Sequence, residues 1–491
     1  MSHREVVGNI VGAPPATNER AYVHVLPDVD LRPMELLVTE GFVEGKKAEI
    51  VLRVARVLRH NPHASATALD TIEKTGIRVM PFHDSERLLP GVYPMVEVEV
   101  LDTFTIDNKK VRTYGNIATP IPGKPVYRAD QTAIQAIVGK VTHPVEIGWL
   151  IGTHAPFIFE ADSLMRHAVI LGGSGTGKSW LRGILMEKLK DLGVVQLNFD
   201  PMGEFVRTVD DLGGVNLEVG RDLKPRLDVL TPEEFRELIE DFVPTDFQRR
   251  IAVEAFVEYK RRSAASLQPL PPERILRFAE EAADNLRASE DTKTNTVERL
   301  RAFLSSLRIA GTGNPDLPQF LKEHKLVNIY FKDVETFQIS FAVASILKEI
   351  ETLKRQRQIP NLLISTDEAH LLIPRGKVSS VSRSVLKKLL RYGRHYGIAV
   401  MLTTQLPSSL DQEALSIPAL RIIFALSPEQ IKGITFLLGD LPENVLRNLP
   451  KLELGTCVIT GAKDLIKHSV YVRVTSRRRS RHGAPTPSFF E

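Results

Sequence analysis

The 491-residue chain contains one cysteine, Cys457, so no disulfide can form within it. That usage suits a reducing compartment, and Cys457 sits in an apolar run that reads as core rather than as a nucleophile. Long hydrophobic runs are also lacking. Stretches such as Pro360–Ile364 fall far short of the roughly 18 residues that cross a bilayer. No apolar signal-peptide core follows Met1-Ser2-His3-Arg4-Glu5, so the expected location is cytoplasmic, without a membrane partner. Nor is there a strong charge of one sign. A formal net charge of +4 leaves nucleic-acid binding open, because a basic groove can hide inside a balanced total. Internal repeats and extended low-complexity segments are absent as well.

What is present is the texture of a protein with real cores. Hydrophobic residues make up 43% and charged residues 25%, and the length allows about three domains at ~150 residues each. Residues 1–110 show short β-branched runs, Val6–Val11, Ala21–Val25, Glu35–Val38, Ala48–Val57 and Val96–Val100, with a possible short helix at Ser65–Thr75. That spacing predicts a small β-barrel, and it carries no chemical constellation, so an assembly or docking role is expected. Residues 111–160, with Pro120, Pro122, Gly123 and Pro125, read as a connector. From about residue 161 to 475, strand–helix alternation predicts an α/β domain built on a mostly parallel sheet. Its expected strands are Ala168–Leu171, Val194–Phe199, Leu326–Phe331, Leu362–Thr366, Ala399–Thr404 and Arg421–Ala425, closed by Gly455–Thr460 and Ser469–Val474. Residues 228–308 lack strand character and form a helical insertion. Residues 476–491, with Arg477, Arg478, Arg479 and Arg481, read as a basic flexible tail.

Chemistry enters at Gly172-Gly173-Ser174-Gly175-Thr176-Gly177-Lys178-Ser179, which fits the phosphate-binding pattern G-x-x-x-x-G-K-[ST] between a strand and a helix. The glycines let backbone N–H groups face an anion, and the following helix N-terminus adds favourable partial charge. Lys178 is placed for the β- and γ-phosphates, and Ser179 for Mg²⁺. A second signal is Asn361–Ser365 running through Thr366 into Asp367-Glu368-Ala369-His370. An apolar strand ending in two acids places Asp367 to hold Mg²⁺ and Glu368 to polarise the attacking water. Gln405, at the end of a later strand, is a candidate γ-phosphate sensor. Arg394 lies on a helix-to-strand turn from which it could reach a neighbouring subunit's nucleotide.

The beta-rich N-terminus, Gly172–Ser179, Asp200-Pro201-Met202-Gly203-Glu204-Phe205, Asp367–His370, Gly393-Arg394 and Thr404-Gln405, in this order, resemble HerA of the HerA/FtsK ATPase group. The resemblance covers nearly the whole chain. It implies a RecA-like P-loop ATPase core with a helical insertion, preceded by a HAS-like barrel. It also implies an ATP-hydrolysing translocase or helicase that forms a homo-hexamer around double-stranded DNA, uses ATP and Mg²⁺, and works with a NurA-type nuclease in DNA end resection and repair. Carried over by motif, Asp367 is the Walker B acid, Glu368 the base, Arg394 the trans arginine finger and Gln405 the polar sensor. Arg375 and Arg166 match nucleotide-contacting positions. Two departures stand out: Asp367-Glu368 replaces a common Glu-Glu pair, and Leu406-Pro407 stands where relatives often have Arg-Pro. Asp200 and Glu204 fit either a turn-stabilising or a water-ordering role. For DNA, the candidates are Arg375, Lys377, Arg383, Lys387 and Lys388. Alternative outcomes are an ATPase ring that scaffolds an effector nuclease in phage defence, and a DNA pump for segregation or conjugation.

Overall fold

A computed structural model describes residues 4–12, 14–60, 93–107, 110–138, 141–153, 155–266, 268–313, 317–376, 380–438, 441, 443–462, 466, 468–475 and 480. The possible helix at Ser65–Thr75, Lys377 and nearly all of the basic tail lie outside these residues. Among those described, no helix is long and apolar enough to cross a membrane.

The N-terminal strands are β1 (Val6–Ile10), β2 (Arg20–Val25), β3 (Leu36–Val43), β4 (Lys46–His60), β5 (Tyr93–Asp107), β6 (Lys110–Thr113) and β7 (Pro125–Arg128). Their order is β2-β1-β7-β3-β4-β5-β6, and β2 also pairs with β5. Six strands therefore close on themselves, with β6 appended to β5. Closure leaves no free edge on those six strands, and Val7, Val23, Leu37, Ile50, Leu52, Val98 and Val126 fill the interior.

Strand β7 corrects the expected limits of this unit. It pairs antiparallel with both β1 and β3, so the barrel runs past residue 110 into the expected connector. After a helix at Gln131–Val138, the end of the connector belongs to the other sheet, as β8 (Pro144–Leu150) and β9 (Pro156–Glu160). Prolines obscured β7 because proline is tolerated at a strand's first residue, where Pro125 sits, although it reads as a breaker in sequence.

The second sheet continues with β10 (Ala168–Leu171), β11 (Val195–Asp200), β12 (Val215–Glu218), β13 (Leu326–Tyr330), β14 (Leu362–Thr366), β15 (Ile398–Thr404), β16 (Leu420–Phe424), β17 (Thr456–Gly461) and β18 (Val470–Val474). Its order is β12-β13-β11-β14-β15-β10-β16-β17-β18-β8-β9. The first seven run parallel, and the other four add on antiparallel. Every residue of β10, β11, β14 and β15 is buried, as helices on both faces require. Buried Cys457 lies on β17, where burial pushes its thiol pKa up.

Between β12 and β13, helices Pro232–Leu238, Asp246–Ala265, Arg274–Asn285 and Glu290–Ser306 form the insertion. Three start on side-chain caps from Thr231, Thr245 and Ser289, the first a full capping box with Glu234. Phe235 stacks on Phe256 at 4.2 Å and meets Phe303 edge-on, which ties the insertion to the large core on one face of the sheet. On the other face, Leu36, Val38, Val51, Leu101 and Phe104 of the barrel join Val145, Phe157 and Val472 in one shared core. Arg128 reinforces this joint by bonding buried Glu35 and the Gly152 carbonyl, each at 2.8 Å.

Candidate functional site

The fully buried strand β10 delivers the chain to the loop 172–177, and the helix Lys178–Asp191 leads it away. Gly175 and Gly177 have φ of +70° and +115°, conformations that side-chain-bearing residues rarely adopt. A Cβ on Gly172 would lie 2.7 Å from Phe424 Cβ, so that position also excludes a side chain. The loop is pinned from β16 and from the turn before β17. Gly173 N–H donates to the Ala425 carbonyl at 2.8 Å, and Gly455 N–H donates to the Thr176 carbonyl at 3.0 Å. Lys178 is buried and lies across the loop, its ammonium donating to the Gly173 carbonyl at 2.7 Å. Burial lowers its pKa, against the opposing pull of Glu368, Asp367 and Glu204. Ser179 follows at the helix N-terminus, half-buried.

Two strands away, β14 ends in Thr366 and hands Asp367 and Glu368 to the same edge of the sheet. Asp367 is buried, and its N–H donates to the Phe199 carbonyl at 3.0 Å. Burial raises its pKa above the usual carboxylate range, opposed chiefly by Arg182. Glu368 has φ +44° and ψ +48°, a left-handed conformation that costs an L-residue about 1 kcal/mol or more. Both of its carboxylate oxygens are engaged. The Gln405 side-chain amide donates to Oε1, while His370 Nδ1 lies 3.2 Å from Oε2 and 3.1 Å from Thr404 Oγ1. Burial pushes the Glu368 pKa up, but the bonds from His370 and Gln405 outweigh it, and the net shift is downward.

Beneath these carboxylates lies a residue that motif reading passed over. Arg182, one helical turn after Lys178, is fully buried. Its Nη1 is 3.4 Å from Asp367 Oδ1, its Nη2 donates to Asn198 Oδ1, and its guanidinium lies 4.5 Å from the Phe205 ring centre. Asn198 belongs to a polar row running across four strands in register, Asn216, Asn328, Asn198 and Ser365. Neighbours in the row bond at 2.8, 2.6 and 2.9 Å. Asp200, fully buried, accepts the N–H groups of Glu204 and Phe205 at 3.0 and 2.8 Å, which closes its own turn. Burial raises its pKa against the pull of the Phe205 N–H and Arg182. Glu204 is half-buried, and its charge is felt by both Lys178 and Asp367. A sequence signal for the row exists: β11 alternates Val195-Gln196-Leu197-Asn198-Phe199-Asp200, polar at every second residue of a buried strand.

The expected arginines stand elsewhere. Arg394 is exposed in the short turn Gly393–Tyr396, before the first residue of β15. Seven strand residues at ~3.3 Å each separate that turn from Gln405, so Arg394 is about 20 Å from its own subunit's site. Arg166 likewise precedes β10, and its carbonyl accepts the Ala419 N–H at 3.0 Å. Both arginines thus share the amino-terminal edge of the parallel sheet, away from the loop 172–179. Next to Arg166 in the chain is buried His167, whose Nδ1 accepts the Val400 N–H at 3.0 Å. Burial takes its pKa down to about 4, and Arg394 adds to the effect. Arg375 is exposed on the loop after Glu368, and its N–H donates to the Ser409 carbonyl at 2.8 Å. Of the DNA candidates, Arg383 pairs with Asp411 at 3.3 Å, Lys387 with Glu413 at 2.8 Å, and Lys388 with Glu351 at 2.8 Å.

A parallel sheet, a glycine loop opening a helix, and a carboxylate pair at the end of a strand two places along define a RecA-like P-loop ATPase, a nucleotide-binding and nucleotide-hydrolysing enzyme. The solved structure of VirB4 from Thermoanaerobacter pseudethanolicus shares the fold, with a TM-score of 0.54 and 15% identity, covering 68% of this chain and 96% of that one. Residues 145–350 match the family described as Helicase HerA, central domain. The chain is 24% identical over 363 residues to the DNA double-strand break repair helicase HerA of Sulfurisphaera tokodaii, covering 70% of this chain and 71% of that protein. It is 26% identical over 364 residues to the protein of the same name from Sulfolobus acidocaldarius, again covering 70% and 71%. This ATP-hydrolysing protein is therefore similar to HerA, and its residues 145–350 match that helicase's central domain.

Proposed function

We propose that this protein is an ATP-driven translocase or helicase on double-stranded DNA, acting in double-strand break repair as a ring of six with a NurA-type nuclease. The observation that carries the ATP-driven reading is the convergence of Lys178, Asp367, Glu368 and Gln405 on one edge of the sheet, with Arg394 exposed on the other. An arginine about 20 Å from its own loop is out of reach of its own site, which supports a role at a neighbour's. The names of the relatives support DNA repair as the setting.

In this reading the backbone of 172–177 and Lys178 bind the phosphates, and Glu368 accepts a proton from the attacking water. The Ser179 hydroxyl and Asp367 carboxylate are hard oxygen donors that suit Mg²⁺ and would hold it. When bound, that ion would neutralise charge on the β- and γ-phosphate oxygens. Glu368 is restrained by Gln405, whose amide engages one lone pair of Oε1 and so makes that oxygen a weaker base while the bond holds. The same amide is placed to read the γ-phosphate, which would couple nucleotide arrival to freeing the base. Arg394 supplies positive charge to the neighbour's transferring phosphoryl group, with Arg166 beside it on the same edge, and Arg375 borders the site on the loop after Glu368.

The deciding experiment measures ATP hydrolysis with and without double-stranded DNA, for the wild type and for mixtures of Arg394→Ala and Lys178→Ala subunits. Stimulation by DNA and partial recovery on mixing are expected, because some interfaces in a mixed ring regain both groups. No DNA stimulation, together with effector-nuclease activity that survives Glu368→Gln, would overturn the motor reading in favour of a scaffold.

A further inference from the structure

Arg182 is the most deeply buried cation among the described residues, and the roles above leave it unexplained. Burying a guanidinium is costly unless charge and hydrogen bonds compensate it. Its compensation is one-sided. Nη2 has Asn198, yet Nε and Nη1 have no hydrogen-bond acceptor, and Nη1 stops 3.4 Å from Asp367 Oδ1. The site around it is rich in negative charge, since Asp200, Glu204, Asp367 and Glu368 all converge on this edge. Arg182 and Lys178 face them as permanent cations, with His370 beside Glu368. Lys178 lies across the loop, whereas Arg182 stands on the polar row that also holds the Asp200 turn.

We propose that Arg182 is a positioning residue for Asp367. Braced by Asn198 and by the Phe205 ring, its guanidinium sets the direction of the carboxylate that receives the cation of the bound nucleotide. This rests on the reading of Asp367 as a holder of Mg²⁺. The arrangement follows the general rule that groups behind a ligating side chain orient it, and that their loss weakens metal binding about 10–100-fold. It also connects three elements: the helix that opens at Lys178, the turn at Asp200–Phe205 and the end of β14. A shift of the helix when phosphate enters the loop is thereby passed to Asp367 through one rigid planar group.

The test is titration of the full-length protein with a fluorescent ATP analogue, in Mg²⁺ and in EDTA, alongside thermal unfolding. For Arg182→Met, affinity in Mg²⁺ is expected to fall about 10-fold or more, with affinity in EDTA changed less than about two-fold. Adding Asp367→Asn to Arg182→Met should raise the melting temperature, because it removes the carboxylate left without its cation. Arg182→Lys keeps the charge, so the protein should fold, but an ammonium cannot reach both Asn198 and Asp367. This variant is expected to lose the Mg²⁺-dependent gain as well. If Arg182→Lys tightens on nucleotide with Mg²⁺ as the wild type does, the proposal is overturned. Equal weakening of both variants with and without Mg²⁺ also overturns it, by reducing Arg182 to support for the helix. Asp367→Asn alone separates the layers: if that variant keeps the Mg²⁺ gain, the reading of Asp367 fails, whatever Arg182 does.

Discussion

The two edges of the parallel sheet are built from the same strands and behave as opposites. The carboxy-terminal edge gathers Lys178, Asp367, Glu368 and Gln405 into a half-buried, charge-dense site with a left-handed glutamate and two left-handed loop glycines. The amino-terminal edge holds neutral, buried His167 and exposes Arg394 to solvent. Strain and perturbed charge mark the carboxy-terminal edge, as at sites where chemistry is prepared, whereas the amino-terminal edge is marked by an arginine that reaches into solvent. If Arg394 serves a neighbour as proposed, hydrolysis requires edges of opposite kind to meet.

The sharpest way to break this contrast is Arg394→Ala. If the amino-terminal edge completes a neighbour's site, ATP hydrolysis should fall about 10³-fold with nucleotide binding to the isolated subunit unchanged, as phosphate release and analogue titration would show. A loss of binding equal to the loss of turnover would place Arg394 in its own subunit's site and dissolve the distinction.

At the opposite edge, Glu368→Gln should reduce hydrolysis at least about 10²-fold while nucleotide still binds. Gln405→Ala is expected to lower turnover less, because it removes a γ-phosphate contact but also frees the base. Single-turnover measurements separate these two effects.

A smaller effect concerns pH and His167. Its pKa is about 4 in the folded chain against 6.5 for a free histidine, so below pH 6.5 the unfolded chain takes up a proton that the folded chain refuses. Stability is therefore lost as pH falls from 6.5 through 4, by about 3 kcal/mol in full. Asp367 and Asp200 have raised pKa values and act in the opposite sense, so the comparison must be with His167→Gln. The stability difference between wild type and variant should shift in the variant's favour by that amount as pH falls. A pH-independent difference in urea midpoints would show that His167 does not titrate in this way.

The smallest effect expected is at Lys387 and Lys388. Their carboxylate partners lie within 3 Å, so alanine substitution should change folded stability by less than about 1 kcal/mol. If these lysines grip DNA phosphates, the salt dependence of DNA binding should lose about one unit of slope for each lysine removed. An unchanged slope assigns them to the helix surface.

Much of the site was legible because its parts are local. Gly172–Ser179 and Asp367-Glu368 are short motifs whose chemistry follows from residue type at fixed spacing, and the buried strands that carry them are continuous apolar runs. The barrel's last strand was not legible, since Pro125 opens a four-residue segment whose pairing with β1 and β3 is non-local. β12 was hidden for a similar reason: Val215–Glu218 is a short strand with only Leu217 buried. Arg182 was hidden differently. One arginine in a helix reads as surface, and only the row Asn216, Asn328, Asn198 and Ser365, drawn from four separate strands, shows that it is inside.

Local order of residues thus determined the phosphate loop, the acid pair, the strand–helix alternation and the presence of a helical insertion, because backbone geometry and periodicity act over a few residues. Tertiary structure decided which groups meet. It joined Gln405 and His370 to Glu368, placed Arg182 under Asp367, and set Arg394 about 20 Å from its own loop. Such meetings depend on strand order and on parallel direction, which no stretch of sequence carries by itself.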